Sequence, residues 1–454
     1  MGNKTLTYTT LIGIHAVIGL LVFMLPFLAR IYSVGMLIIG ILYIIKKQNK
    51  NNEVLIVAAY ITGAEVFLRA NNGVLVYEFG KYAVMILITV GMYYGGFSRN
   101  AVPYWVYLLL LLPGVILAAF VLDSSIEDRK IISFVISGPA CLGFCALYTY
   151  QRKVTYEQMN SIILALGLPI VCLVAYVILF NPTVRDVITG TDSNMRASGG
   201  FGPNQVSTIL GLGIFVFVLR GILKSPSVQI AVLNFGIAAV LTFRGLVTFS
   251  RGGIFTAIAM IALLLIGLYL RTNAKAKAKL RYLLVFLGVL SAVIWTYSLM
   301  QTDGMLGNRY ANKDAVGRDK ESTFTGREQL ASTEIEAFFA NPVLGTGVGK
   351  SMEVRKEQTG VDAASHNELT RLLAEHGSLG IMILLILFFT PIFLHLDNRE
   401  NFFMFPLLAF WLLTINHAAM RIAAPAFIYS LALLKVYIVP PQPKKRPLAH
   451  TSIT

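Results

Sequence analysis

The chain is a succession of apolar runs, each roughly 15 to 22 residues long, separated by short polar loops. A helix of that length spans the hydrocarbon of a bilayer, so each run reads as a candidate transmembrane helix. The runs lie near 10–28, 31–45, 54–69, 82–97, 102–122, 131–150, 160–180, 204–222, 228–249, 253–270, 282–300, 379–396, 402–420 and 422–439. Only 13% of the residues are charged and 56% are hydrophobic. Soluble domains carry about a quarter charged residues, which excludes that class. The expected fold is an all-α polytopic membrane protein with 12–14 transmembrane helices in a single membrane domain over 1–454. The first run is followed at once by the second, which reads as a helical hairpin rather than a cleavable signal peptide.

A net charge of +15 raises nucleic acid as a partner, but the distribution of the charge argues against it. Lys46, Lys47 and Lys50 follow the second run, Arg152 and Lys153 the sixth, Arg220 and Lys224 the eighth. Arg271, Lys275, Lys277, Lys279 and Arg281 follow the tenth, and Lys444, Lys445 and Arg446 lie in the tail, 440–454. With alternating spans these clusters share one side, which the positive-inside rule makes the cytoplasm, with both termini there. The long polar segment 301–377 then faces outward, the periplasmic side of a bacterial inner membrane. It holds nine Lys or Arg against twelve Asp or Glu, so it carries none of the positive bias. Cys141, Cys145 and Cys172 all fall inside apolar runs and read as small buried side chains.

The outward segment has structure of its own. Thr325-Gly326-Arg327-Glu328 has capping-box spacing, and Leu330, Ile335, Phe338 and Phe339 give a partly amphipathic helix ending near Ala340, before Asn341-Pro342. Gly345, Gly347 and Gly349 then mark a flexible turn. Ser365-His366-Asn367-Glu368 reads as a second capping box, which puts His366 in the first turn of a helix striped by Leu369, Leu372 and Leu373. There the helix dipole favours a neutral imidazole, able to accept a proton, and unpaired N–H groups help to hold an anion. A lone histidine at a helix start is more often a surface residue; its setting is what makes it a candidate base.

That setting is a set of arginines at the outward ends of spans. Arg196 precedes the eighth run, Arg251 occupies the short turn between the ninth and tenth, and Arg244 lies two helical turns down the same face. Arg327 opens the loop helix. Guanidinium groups grip phosphate through several donors, and two or three at one leaflet suit a lipid diphosphate. With His366 as general base, an acceptor hydroxyl can attack the anomeric carbon of a diphosphate-linked glycan, and no metal or other cofactor is required. Other polar pairs have plainer readings. Glu65 and Arg69 suit an intrahelical ion pair, and His417 and Arg421 either line the same cavity or pack. His376 reads as structural, and Glu375 can orient a neighbouring donor.

His366-Asn367, nine residues and then Gly377-x-x-Gly380 resembles the signature of bacterial O-antigen ligases. Arg196 with Gly200-Phe201-Gly202-Pro203-Asn204 resembles that family's element before a span, and Ser250-Arg251-Gly252 resembles its turn. Gly326-Arg327 through Pro342-x-x-Gly345-x-Gly347 resembles its loop, so the likeness runs from about 190 to 385 in matching order. The resemblance implies a lipid-carrier-dependent glycosyltransferase that moves a glycan from undecaprenyl diphosphate to lipid A-core or another membrane-bound acceptor, with inversion. It implies His366 as catalytic base and Arg196 and Arg251 as diphosphate ligands; Arg244, Arg327, Asn204, Asn367 and Glu375 are further candidates from the residues themselves, which form no metal-ligand cluster on the outward face. O-antigen polymerases and protein O-oligosaccharyltransferases share this layout, so both are alternatives. The family carries about twelve spans, fewer than the runs counted here. A lipid-linked oligosaccharide flippase is the rival from another class, but it calls for pseudo-symmetric halves and charges at mid-bilayer.

Overall fold

The computed structural model describes residues 7–121, 126–320, 327–353 and 365–437. Helices occupy every apolar run: α1 (Tyr8–Met24), α2 (Leu28–Lys47), α3 (Glu53–Ala70), α4 (Phe79–Gly95), α5 (Val102–Val121), α6 (Ile126–Thr149), α7 (Tyr156–Phe180), α8 (Pro203–Leu223), α9 (Val228–Val247), α10 (Arg251–Arg271) and α11 (Ala274–Gln301). The outward segment contributes α12 (Met305–Tyr310), α13 (Arg327–Ala340) and α14 (Glu368–His376); α15 (Ser378–Asp397), α16 (Met404–Ile415) and α17 (Ala423–Leu431) follow. Among the described residues nine helices are long and apolar enough to cross a membrane, and α1 and α16 are apolar but shorter. The protein is an all-α polytopic membrane protein.

The last pair of runs departs from the expected full-length spans. α16 stops at Ile415 and α17 covers only nine residues before the strand β2 (Lys435–Tyr437), which pairs in parallel with β1 (Lys153–Thr155). The cause is local pairing: Gln151 N–H donates to Leu433 O and Lys435 N–H to Arg152 O, drawing the chain out of helix. The same end of the bundle gathers other basic groups. Lys224 Nζ lies 2.6 Å from Glu157 Oε1, and the Arg220 guanidinium stacks on Tyr8 near the N-terminus. Those contacts place Arg152, Lys153, Arg220 and Lys224 together, as the charge pattern demands.

Burial separates the core from the lipid-facing shell. The most apolar window of α8 is 83% buried, whereas that of α11 is 6% buried, so α8 is central and α11 peripheral. All three cysteines are buried and free. Small residues let backbones touch where the site is built. A Cβ on Gly211 would stand 2.2 Å from Gly253 O, and one on Gly253 would stand 2.0 Å from Ser207 O. Only glycine at both positions permits α8 and α10 to approach this closely.

Glu65 and Arg69 do form the intrahelical pair, at 2.8 Å, and it belongs to a larger buried group. Glu78 and Lys81 pair beside it, and Arg69 lies 3.7 Å from Glu78. Four charges of balanced sign inside a bundle need mutual compensation, and here they also serve the neighbouring turn. Glu65 Oε2 accepts from Ala423 N–H at 2.6 Å and Lys81 Nζ donates to Met420 O at 3.4 Å. The buried charges thereby fix residues 416–422, the turn that reaches the candidate site.

Candidate active site

Two backbone turns and two loop helices meet at the end of the bundle opposite the basic cluster. The first turn joins α9 to α10. Phe249 adopts a left-handed φ of 57°, uncommon for a bulky residue, and its surroundings hold it there. Arg309 Nε donates to Phe249 O at 3.0 Å, Asn194 N–H donates to Thr248 O, and Ser207 Oγ donates to Ser250 O. Ser250 Oγ donates to Asn204 Oδ1 at 2.8 Å, so Asn204 acts as a clamp on this turn. Arg251 emerges as the first residue of α10.

The second turn carries His366. The structure corrects the expected capping box: α14 begins at Glu368 with Asn367 as N-cap, and Asn367 Oδ1 accepts from Leu369 N–H at 2.9 Å. His366 therefore precedes the helix instead of lying in its first turn. Glu368 fails as the box's return partner because its carboxylate is taken by Arg371. Asn367 already satisfies one of the N–H groups expected to hold an anion. Ser365 Oγ accepts from Asn367 N–H and donates to Asn367 O, and Ser365 O accepts from Arg421 Nη2 at 2.9 Å. His366 is thus fixed by its flanking residues.

Arg251, His366 and Asn367 line one cleft of about 600 Å³. Its other polar walls are Glu328 and Glu334 from α13 and Asn416 and His417 from the α16–α17 turn, with Phe255, Leu330 and Leu413 as apolar lining. Glu334 is 2% exposed, and its carboxylate accepts from Thr370 Oγ1, tying α13 to α14. The Tyr310 phenol next to α10 is pushed up to about 12 by burial, against the pull of Arg251 and Arg309. Arg309 is a cation at this mouth that the sequence reading missed; only its position eight residues past the end of α11 marks it.

The remaining candidates fall around the cleft. Arg196 is exposed at the start of a 3-10 turn, Arg196–Ser198, whose other two residues are buried, and it is not among the cleft-lining residues. Its loop is docked on the α9–α10 turn through Asn194 and held from below by Asn181, whose side chain donates to Arg196 O. Arg244 is buried and donates from Nη1 to Asn181 O at 2.9 Å. Asn181 therefore links Arg244 to the Arg196 loop. Arg327 begins α13, while its side chain and Thr325 of the proposed capping box lie outside the described residues. α13 ends at Ala340, as the Asn341-Pro342 signal requires.

Glu375 is the hub of the glycine-rich turn expected to be flexible. It accepts from Gly349 N–H at 3.0 Å, from Ser351 Oγ at 2.9 Å and from Arg371 Nη1. Gly345, Gly347 and Gly349 all have positive φ, and a Cβ on Gly345 would stand 2.4 Å from the Glu375 carbonyl carbon. The turn is wrapped tightly on α14 instead of moving freely. Burial works against the Arg371 charge, but Glu368 and Glu375 more than reverse this and raise its pKa above the arginine range. His376 is fully buried against Gly114 of α5, and burial, with Arg371 adding to it, pushes its imidazole down to about 3. It is a neutral packing residue. Among the described residues no three His, Cys, Asp or Glu side chains are grouped to hold a metal ion.

The arrangement brings an imidazole and a guanidinium at a helix start into one cleft with Phe255, Leu330 and Leu413 in its lining. No curated protein matches the chain. Residues 233–385 match the family model described as O-antigen ligase, whose members are membrane glycosyltransferase-like ligases and polymerases. The matched segment contains the Ser250-Arg251-Gly252 turn, α13 and the His366 motif, and leaves Arg196, Asn204 and His417 outside it. Over these residues, about a third of the chain, the protein is similar to the O-antigen ligase family.

Proposed function

We propose that the protein transfers a glycan from undecaprenyl diphosphate to a membrane-bound acceptor, lipid A-core or another glycan, at the periplasmic face of the bacterial inner membrane. The observation that carries this reading is the shared cleft of His366 and Arg251. His366 takes the proton of the acceptor hydroxyl, and the freed oxygen attacks the anomeric carbon. The bond from that carbon to the diphosphate oxygen breaks, undecaprenyl diphosphate leaves, and His366 passes its proton to water. A single displacement inverts the anomeric centre. Arg251, with Arg196 on the adjoining loop, stabilises the charge that grows on the departing diphosphate, and Arg244 supports the Arg196 loop through Asn181. A positioned base contributes about 10²–10⁴-fold to such a reaction, and preorganised leaving-group stabilisation a comparable factor. No step requires a metal or cofactor.

The test offers purified protein in lipid nanodiscs a lipid-linked glycan, with and without lipid A-core. Core-attached product supports the ligase reading, and longer carrier-linked polymer without core makes the acceptor a second lipid-linked repeat. Transfer that survives exhaustive chelation is expected; its loss would put a metal into the mechanism. Recovery of unreacted donor in every arm would overturn the reading.

A further inference from the structure

The end of the bundle opposite the cleft holds a second cavity, of about 640 Å³, between the α2–α3 turn, the α4–α5 loop and the segment joining α6 to β1. That size falls within the range of small-ligand sites, about 300–1,000 Å³. Lys50, Arg152 and Lys153 line it, and among the described residues no Asp or Glu does, so its field is positive. Glu53, the carboxylate closest in sequence, is 3% exposed and accepts from both the backbone and the side-chain amide of Asn51. One wall is a fixed network. The Arg152 guanidinium lies 3.7 Å from the Tyr148 ring centroid and donates to Tyr148 O, Asn52 Oδ1, Gly95 O and Gly96 O. Arg152 therefore supplies charge and shape, and its donors are spent on protein. Tyr148 Oη accepts from Asn49 Nδ2 at 2.8 Å and donates to Asn52 Oδ1 at 3.2 Å. Gln48, Asn49, Asn52 and Gln151, all in the lining, hold left-handed φ between 50° and 59°, a backbone cost that the surrounding contacts must outweigh.

The other two cations are placed differently. Lys50 and Lys153 are exposed, and neither ammonium takes part in that network. The rim is aromatic: Tyr94 and Phe97 line the pocket, and Phe97 meets Trp105 of α5 edge-on at 5.8 Å. Exposed aromatic side chains at span ends mark the membrane–water interface. Beyond Trp105, α5 exposes Leu109, Leu112 and Ile116. We propose that this pocket holds the phosphate headgroup of an anionic phospholipid, with Lys50 and Lys153 as its direct contacts and Arg152 as a charged wall. A basic pocket between spans on the side of the positive charges suits such a headgroup. A soluble phosphate would use the two ammoniums alone, whereas a lipid also uses the aromatic rim and lays its acyl chains on the apolar side of α5. The bound headgroup then joins the α2–α3, α4–α5 and α6–β1 connections, and so steadies the end of the bundle away from the cleft.

The experiment titrates the full chain in detergent with phosphatidylglycerol, with phosphatidylcholine of the same acyl chains and with glycerol 3-phosphate, and reads the thermal unfolding midpoint. A ligand that binds only the folded state raises that midpoint with its concentration. Phosphatidylglycerol is expected to give a saturable rise that the other two do not. Lys50→Gln combined with Lys153→Gln should weaken its apparent affinity about tenfold or more. Lys275→Gln combined with Lys279→Gln removes the same charge outside the pocket and should leave the affinity unchanged. Wild-type affinity should also fall as salt rises from about 0.05 M to about 0.5 M, an arm that stands should the Lys50 and Lys153 variant fail to fold. Equal shifts from the two lipids, wild-type affinity in that variant, an equal loss in the control variant or indifference to salt would each overturn the proposal. Glycerol 3-phosphate acting as strongly as phosphatidylglycerol would make this a site for soluble phosphates and overturn the lipid assignment. Glycan transfer plays no part in the readout, so the outcome is independent of the reaction proposed above.

Discussion

At the scale of single residues, His366 owes its position to its neighbours and not to the helix that follows. Arg421 holds the carbonyl just before it and Asn367 caps the helix just after it. Burial pulls the Arg421 pKa down from the arginine range, with Tyr77 and Glu368 opposing, so the guanidinium is held in a protein environment and not in solvent. Arg421→Gln should therefore release the His366 loop without removing a diphosphate ligand. Steady-state transfer assays should show kcat falling about tenfold or more, because misplacement by about 1 Å can cost that much, while donor binding stays near wild type. Unchanged kcat would detach Arg421 from the site. The sequence showed the 417/421 spacing but left its role open between cavity and packing. The partner of Arg421 is 56 residues away in the chain, and no periodicity reports such a contact.

At the scale of elements, α14 is a rigid strut. Glu368, Arg371 and Glu375 occupy one buried face at i, i+3 and i+7, and they bind the Gly345–Ser351 turn to the helix that His366 precedes. His376 closes the same strut against α5, and it supplies a pH signature. Its folded pKa, about 3, lies below the unfolded value of about 6.5, so below that value the unfolded chain binds the extra proton. Its contribution to stability is complete above about pH 6.5 and declines as pH falls toward 3. Thermal unfolding in detergent should show the midpoint dropping between about pH 7 and about pH 5, and His376→Leu should flatten that slope. An equal slope in the variant would mean that His376 is not buried as a neutral ring. The end of α13 at Asn341-Pro342 was visible in the sequence. What sequence could not show was the start of α14. Ser365-x-x-Glu368 satisfies the capping pattern, but Arg371 takes the Glu368 carboxylate, and the cap moves to Asn367. The glycine turn misled for the same reason: positive φ suits a flexible loop and a tightly wrapped one equally.

At the scale of the whole molecule, the bundle puts its basic cluster at one end and its cleft at the other. The apolar runs made the helices legible, since hydrocarbon thickness sets their length; the last run departs most, because pairing with β1 draws residues 435–437 out of helix. The site was legible in part. His366, Asn367 and Arg251 come together as their motifs suggest, whereas Arg196 stays on the adjoining loop and Arg244 turns inward to Asn181. Those outcomes depend on how α7, α8 and α9 pack, and local sequence does not encode that packing. In the proposed reaction His366 is the base of a glycosyl transfer at this cleft. The most direct test of that role is single-turnover transfer from lipid-linked glycan to acceptor by His366→Ala in nanodiscs, with donor binding measured on the same sample. Transfer should drop by about 10² or more while donor affinity remains close to wild type. Wild-type turnover by the folded variant would contradict it.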